Sequence, residues 1–202
     1  MPNEPLIELG EEWVPEIVDV LCESFADYPV MTYVLGEQLG RTDRLTTLIH
    51  FFVMARVFGD EVMIGIGGPA RLNAVALVSR PVWAGSAPGL DELRETVWKE
   101  LGTPSRSRYE TFGAACARSD VGVDHLHLNM IGVRAAARGK GLGRRLIEHV
   151  QELSRKDERS RGVTLTTEDP NNVGLYKHLG YEIVGHQVVS PDLETWSFFR
   201  PD

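Results

Sequence analysis

The chain is poor in cysteine. Cys22 and Cys116 are its only two, far apart, with no CxxC pair and no histidine cluster beside them. That argues against a disulfide framework, a metal site and a dithiol redox motif. Both thiols fall in apolar helical patterns and are expected to be buried and free. The chain also lacks an apolar run of the roughly 18–20 residues that cross a bilayer. Its first residues, MPNEPLIELGEEW, are acidic and have no apolar segment of the kind a secretory signal needs. A cytoplasmic protein with no membrane partner is the expectation. Excess positive charge is missing too. A net charge of −8 argues against a general nucleic-acid binder.

What is present is an ordinary globular composition, 43% hydrophobic and long enough for one good core. There is no repeat, low-complexity tract or long linker. The pattern predicts a strand at 6–9 and a helix from Trp13 to Phe25 that ends near Asp27-Tyr28-Pro29. A loop or short helix follows at 29–36, then a strongly apolar helix at 44–58 stopped by Gly59. Strands at 61–67 and 72–82 follow, joined through Gly67-Gly68-Pro69. Helices are predicted within 88–101 and over 105–118. A strand at 126–133, a helix to about Lys156, a strand at 163–167 and a helix at 172–179 come next. Strands at 181–189 and 194–199 turn at Pro191-Asp192. Mixed elements in this order predict one α/β or α+β layered domain spanning residues 1–202.

The most informative stretch is Arg138-Gly139-Lys140-Gly141-Leu142-Gly143-Arg144. It lies directly between the 126–133 strand and an amphipathic helix. Glycines let backbone approach a ligand, and the first turn of a helix offers unpaired N–H groups to an anion. The basic side chains stand against an acidic background, which suits a small phosphate-bearing ligand better than a polyanion. The loop does not fit a P-loop, because no Ser or Thr follows Lys140. It does not fit the dinucleotide G-x-G-x-x-G spacing either. A glycine-rich turn without a ligand is the plain alternative.

A fourth reading fits better, because residues 125–199 resemble the GNAT N-acetyltransferases. Arg138-Gly139-Lys140-Gly141-Leu142-Gly143 matches that family's acetyl-CoA motif, [QR]-x-x-G-x-[GA]. Ile131-Gly132-Val133 stands where the family's cofactor-binding strand ends. The run from Asp169 through Asn172 and Leu175-Tyr176 to Gly180-Tyr181 resembles the second signature, with Tyr181 in place of the usual Phe. Asp169 stands where many members have Asn, which makes Asn172 the better cofactor contact. Trp196-Ser197-Phe198-Phe199-Arg200 is similar to the W-x-M-x-R strand of the branch that includes puromycin N-acetyltransferase, with Phe198 replacing Met.

The resemblance implies a GNAT fold, meaning a mixed, mostly antiparallel sheet with a splayed parallel strand pair and helices on both faces. It implies an acceptor-side half at 1–124 and an acetyl-CoA-binding half at 125–202. In that fold Ile131, Gly132 and Val133 would hold the pantetheine arm. Arg138, Gly139, Lys140, Gly141, Leu142, Gly143 and Arg144 would cradle the pyrophosphate, mostly through backbone N–H groups, and Asn172 and Tyr176 would complete the site. Acetyl-CoA is then a co-substrate, with no metal. Tyr176 matches the family's general acid. His127 lies where histone-acetylating members carry a catalytic glutamate, and His125, His127 and Asn129 should share one strand face, opposite Leu126, Leu128 and Met130. His127 is therefore the expected base, ahead of His125, with Glu110 and Asp124 weaker. Phe25, Tyr28, Tyr33, Trp83 and Trp196 are candidates for an aromatic acceptor wall, with Tyr28, Tyr33 and Trp196 preferred. The expected partner is a small-molecule amine, and family members are often homodimers. A peptide acceptor, or an acetyl-CoA-binding module without catalysis, are the alternatives.

Overall fold

The computed structural model describes residues 4–36, 40–68, 71–81 and 87–202. Seven strands form one sheet in the order β1-β2-β3-β4-β5-β7-β6. They are β1 (Leu6–Glu8), β2 (Val62–Gly68), β3 (Arg71–Ser79), β4 (Leu126–Val133), β5 (Gly162–Thr167), β6 (Glu182–Ser190) and β7 (Leu193–Pro201). Every neighbouring pair is antiparallel except β4 and β5. The helices are α1 (Val14–Phe25), α2 (Pro29–Leu35), α3 (Arg41–Phe58), α4 (Leu90–Leu101), α5 (Thr103–Cys116), α6 (Leu142–Lys156) and α7 (Pro170–His178).

Two hydrophobic clusters sandwich the sheet. One gathers apolar residues of α1 to α4 against Leu72, Val75, Leu77 and Met130. The other packs Leu142, Leu146, Ile147 and Val150 of α6 and Tyr176 of α7 against Ala74, Ala76, Val78, Leu126, Leu128, Val163 and Phe198. Alternation along β3 divides its side chains between the two faces, as a strand buried on both sides requires.

The helical alternative at 29–36 is the one adopted. Pro29 presets the first turn, Val30, Met31, Val34 and Leu35 bury one face, and Gly36 ends α2 at φ 71°. α3 starts at Arg41, three residues before the expected start. There Arg41 donates to the Ala26 carbonyl and to Thr32 Oγ1, anchoring a polar first turn that the apolar pattern does not mark. β3 ends at Ser79, and Pro69 and Val82 lie outside the described residues.

β4 departs from regular alternation. Leu77 pairs with Met130 and Val78 with Leu128, so Asn129 is an extra residue, a β-bulge. The bulge flips the side-chain parity beyond it. Met130 packs into the α1–α4 cluster, while Ile131 and Val133 join Leu126 and Leu128 against α6. This corrects the expectation that Leu126, Leu128 and Met130 share a face.

β4 and β5 pair in parallel at Leu126, His127 and Leu128 with Val163, Thr164 and Leu165. Beyond that point they separate, and among the described residues the β5-facing edge of β4 from Asn129 to Val133 has no strand partner. Buried Arg134 then ties the end of β4 to α1 through Glu16, Asp19 and Glu23, at 3.0, 2.6 and 3.0 Å.

Candidate active site

The gap opened by the splay is the floor of a cavity of about 650 Å³. At one end it reaches Ile131, Val133, Gly143 and Arg144; at the other it reaches Phe52, Tyr109 and Phe112. One continuous space therefore joins the first turn of α6 to an aromatic chamber between α3 and α5.

At the loop end, Gly139 and Gly141 adopt φ of 75° and 76°, a left-handed conformation that side chains disfavour. A Cβ built on either would meet nothing within 4 Å, so both borders of the turn are open. Arg145 N–H is the first in this stretch to find a backbone acceptor, the Gly141 carbonyl at 3.0 Å. Among the described residues, the N–H groups of residues 139–144 donate to no acceptor. Consecutive free donors at a helix N-terminus, with open space over them, fit an anion of pyrophosphate size. The cations are engaged elsewhere: Lys140 Nζ donates to Ala136 O at 3.0 Å, Arg144 pairs with Glu148 at 2.7 Å, and Arg138 Nε reaches Val133 O at 3.4 Å. Val133 O also accepts from Ser24 Oγ at 3.3 Å. Gly132 turns toward α1, where a Cβ would lie 2.8 Å from Ser24 Oγ.

Tyr176 lies mid-cavity, 6% exposed, its ring against Phe198 and Tyr181 at centroid distances of 5.5 and 6.1 Å. Burial, then the nearby Glu168, push its hydroxyl up to about 12, so it stays protonated. Asn172 lines the same space and donates to Thr167 Oγ1 at 3.3 Å. Asp169, the departure from the family pattern, caps α7 by accepting Asn171 N–H at 2.9 Å.

Glu168 was not singled out by sequence. It follows the last residue of β5, is 6% exposed and faces the cavity. Its Oε1 accepts from Thr195 Oγ1 at 2.8 Å. Burial is the largest influence on its carboxyl and pushes it up to about 7 against the hydrogen bonds that favour ionisation. Its backbone N–H donates to the Tyr28 hydroxyl at 3.1 Å, and that hydroxyl lies 2.9 Å from Thr167 Oγ1. Tyr28 thus lines the cavity and also fixes the end of β5.

His127 lies in the cavity wall, with Nδ1 2.9 Å from Thr164 Oγ1. Burial first, then His125 and Arg56, pull it down to about 4, so it is neutral at physiological pH. His125 and Glu110 also line the cavity, Glu110 on the exposed side of α5 in an ion pair with Arg106. Phe25 lines it as well.

Tyr33 and Trp196 are not brought to the cavity. Tyr33 packs against the α1–α4 cluster. On β7, Thr195 bonds Glu168, and Ser197 and Phe198 line the cavity, whereas Trp196, further along the strand on the Phe198 side, stacks on His186 at 4.8 Å. Trp83 lies outside the described residues. Cys22 and Cys116 are half-buried rather than buried, and Cys116 sits in the cavity wall with its thiol pushed up to about 11 by burial. Among the described residues no group of three or more His, Cys, Asp or Glu is placed to hold a metal ion, and no helix is long and apolar enough to cross a membrane.

Residues 107–183 match the family model described as an acetyltransferase (GNAT) domain. No curated protein matches the chain. Among solved structures, it is similar to one of a histone acetyltransferase HPA2 and related acetyltransferase from Corynebacterium glutamicum. That likeness has a TM-score of 0.74 at 20% identity and covers 99% of this chain and 97% of the other. A polyamine N-acetyltransferase from Drosophila melanogaster, which forms N-acetylagmatine, aligns at TM-score 0.66 and 16% identity over 99% and 100% of the two chains. Arylalkylamine N-acetyltransferase 2 from Aedes aegypti aligns at 0.60 and 18% over 98% and 97%. The fold of this chain is the GNAT fold.

Proposed function

We propose that this chain, which carries a GNAT acetyltransferase domain, transfers acetyl from acetyl-CoA to the primary amine of a small molecule. One observation carries the reading. A buried carboxyl pushed up to about 7, Glu168, opens onto the same cavity as free backbone donors in the first turn of α6, at Gly143 and Arg144.

The residues fit the cofactor. The N–H groups of residues 139–144 would hold the pyrophosphate, and the unpaired edge of β4 at Ile131 and Val133 would take the pantetheine arm, with Asn172 beside it. When bound, acetyl-CoA supplies a thioester whose acyl carbon bonds to the acceptor nitrogen as its sulfur leaves.

The amine arrives protonated and must lose that proton to attack. Glu168 is the base: a carboxylate with a value near the working pH combines a useful ionised fraction with real proton affinity. His127, held near 4, takes up an ammonium proton less readily and serves as a wall residue and hydrogen-bond acceptor. Tyr176 donates a hydrogen bond to the departing sulfur. Full transfer from a hydroxyl near 12 to a thiolate with a reference value near 8.5 is uphill by about 5 kcal/mol, which favours hydrogen bonding over complete protonation.

The Trp196–Arg200 strand supports the branch of puromycin N-acetyltransferase, and the similar Drosophila and Aedes proteins are a polyamine and an arylalkylamine N-acetyltransferase. The test is thiol release from acetyl-CoA across a panel of primary amines that includes puromycin and a peptide with a free N-terminus. Release with small amines is expected. Release with the peptide alone would replace the small-molecule reading, and none with any amine would sink it.

A further inference from the structure

Arg56 is a cation in an apolar place. It lies near the end of α3 within the run Phe51-Phe52-Val53-Met54-Ala55-Arg56-Val57-Phe58, half-buried, and lines the aromatic chamber of the cavity. Its Nε donates to Asn129 Oδ1 at 3.3 Å. Asn129 is the bulge residue of β4, and the same oxygen accepts from Ser79 Oγ at 2.9 Å. This holds one side of the guanidinium fork to the sheet just where β4 and β5 part. Among the described residues, the two terminal nitrogens of Arg56 make no hydrogen bond and no ion pair. Glu61 is near enough to act on the charge, but its carboxylate accepts the Arg80 N–H at 2.8 Å.

A guanidinium partly withdrawn from water, its outer donors open to the cavity, gains when an anion meets it. Its planar fork matches a carboxylate by two parallel hydrogen bonds. Beside it, Phe52 and Tyr109 stack at 5.8 Å with a 30° interplanar angle, and Phe112 completes the wall. Of the acidic groups that line the cavity, Glu110 and Asp120 lie on its exposed side, Glu168 is held by Thr195, and none of the three pairs with Arg56.

We infer that the acceptor amine carries a carboxylate on an apolar or aromatic body, and that Arg56, oriented by Asn129, binds that carboxylate while the amine faces Glu168. The inference rests on the proposed acetyl transfer and narrows its substrate class.

The test uses matched pairs that differ by the carboxylate: L-phenylalanine against 2-phenylethylamine, and L-methionine against 3-(methylthio)propylamine. The wild-type protein is expected to favour the carboxylate member of at least one pair by about tenfold or more in kcat/KM. Arg56→Met should bring that ratio to within about twofold, acting mainly through KM, and Arg56→Lys should restore part of it. Binding of CoA, measured by calorimetry, reports whether each variant is folded. In parallel, L-phenylalanine is titrated into the CoA-saturated protein. Binding that Arg56→Met abolishes supports the anion site whatever the turnover.

Equal turnover of both members of each pair, or puromycin turned over faster than every carboxylate amine, overturns the inference and leaves the acetyl-transfer reading standing. A carboxylate preference unchanged in Arg56→Met moves recognition away from Arg56 and overturns it too. The absence of both amine turnover and L-phenylalanine binding overturns both readings.

Discussion

Glu168 is a carboxyl buried in the cavity wall and held by Thr195. In the folded chain Glu168 sits near 7, against an ordinary value of 4.5. Below the unfolded value both states are protonated and burial brings no ionic penalty. As pH rises toward 7 the unfolded chain ionises and the folded one does not, so stability falls. Above 7 the full penalty of about 3 kcal/mol persists. Glu168→Gln should therefore match the wild type in melting temperature near pH 4–5 and exceed it by several degrees at pH 8. Equal melting curves at pH 8 would mean that the carboxyl is not strained by burial. The same variant should lose about 10²–10⁴-fold in turnover, and such a loss in a more stable protein separates function from folding. Tyr176→Phe should lower kcat while leaving acetyl-CoA affinity nearly intact, as single-turnover and calorimetric measurements can distinguish. Unchanged kcat would remove the hydroxyl from the mechanism.

Tyr176 was readable because it stands in a local signature. Glu168 was not, although an acidic residue closing an apolar strand is a usable signal. Its burial depends on Tyr28 and Thr195, which are remote in sequence, and no local pattern reports that. Arg56 was hidden for the opposite reason, since one cation inside a strongly apolar helix reads as its solvated face. Trp196 has the type of a wall residue, but it stacks on His186 of the neighbouring strand instead.

At the scale of elements, the loop between β4 and α6 is the best test of cofactor binding. Gly141→Ala meets no neighbour in the protein, so its effect is confined to the backbone and the ligand. A left-handed alanine should destabilise the fold by about 1–2 kcal/mol. A methyl group over the free N–H row should weaken acetyl-CoA binding by about tenfold or more. Calorimetry checks both, and wild-type affinity in a destabilised variant would show that the pyrophosphate lies elsewhere. Asp169→Ala removes the cap of α7 and should lower stability by about 1 kcal/mol. Most element positions were legible, because strand, glycine loop and amphipathic helix each carry their own period. β4 and the end of α6 fall where the pattern sets them. The bulge at Asn129 was not legible, since regular alternation is the default expectation for a strand. A bulge arises from pairing with β3, not from β4 alone.

Over the whole molecule, the sheet brings two separately built ends to one cavity. Helices α1, α2, α3 and α5 supply an aromatic chamber, and the run from β4 to α7 supplies the free N–H row, Glu168 and Tyr176. Binding at one end should stabilise the whole sheet. At a hundred times its Kd, acetyl-CoA adds about 2.7 kcal/mol and should raise the melting temperature by several degrees.

The decisive measurement is thiol release from acetyl-CoA with a turned-over amine, followed from pH 5 to 9 in the wild type and in Glu168→Gln. With Glu168 as the base, wild-type kcat/KM rises with a midpoint near 7, and the variant is slow with that limb gone. A variant as fast as the wild type, with the same limb, would contradict the assignment of Glu168 as the base.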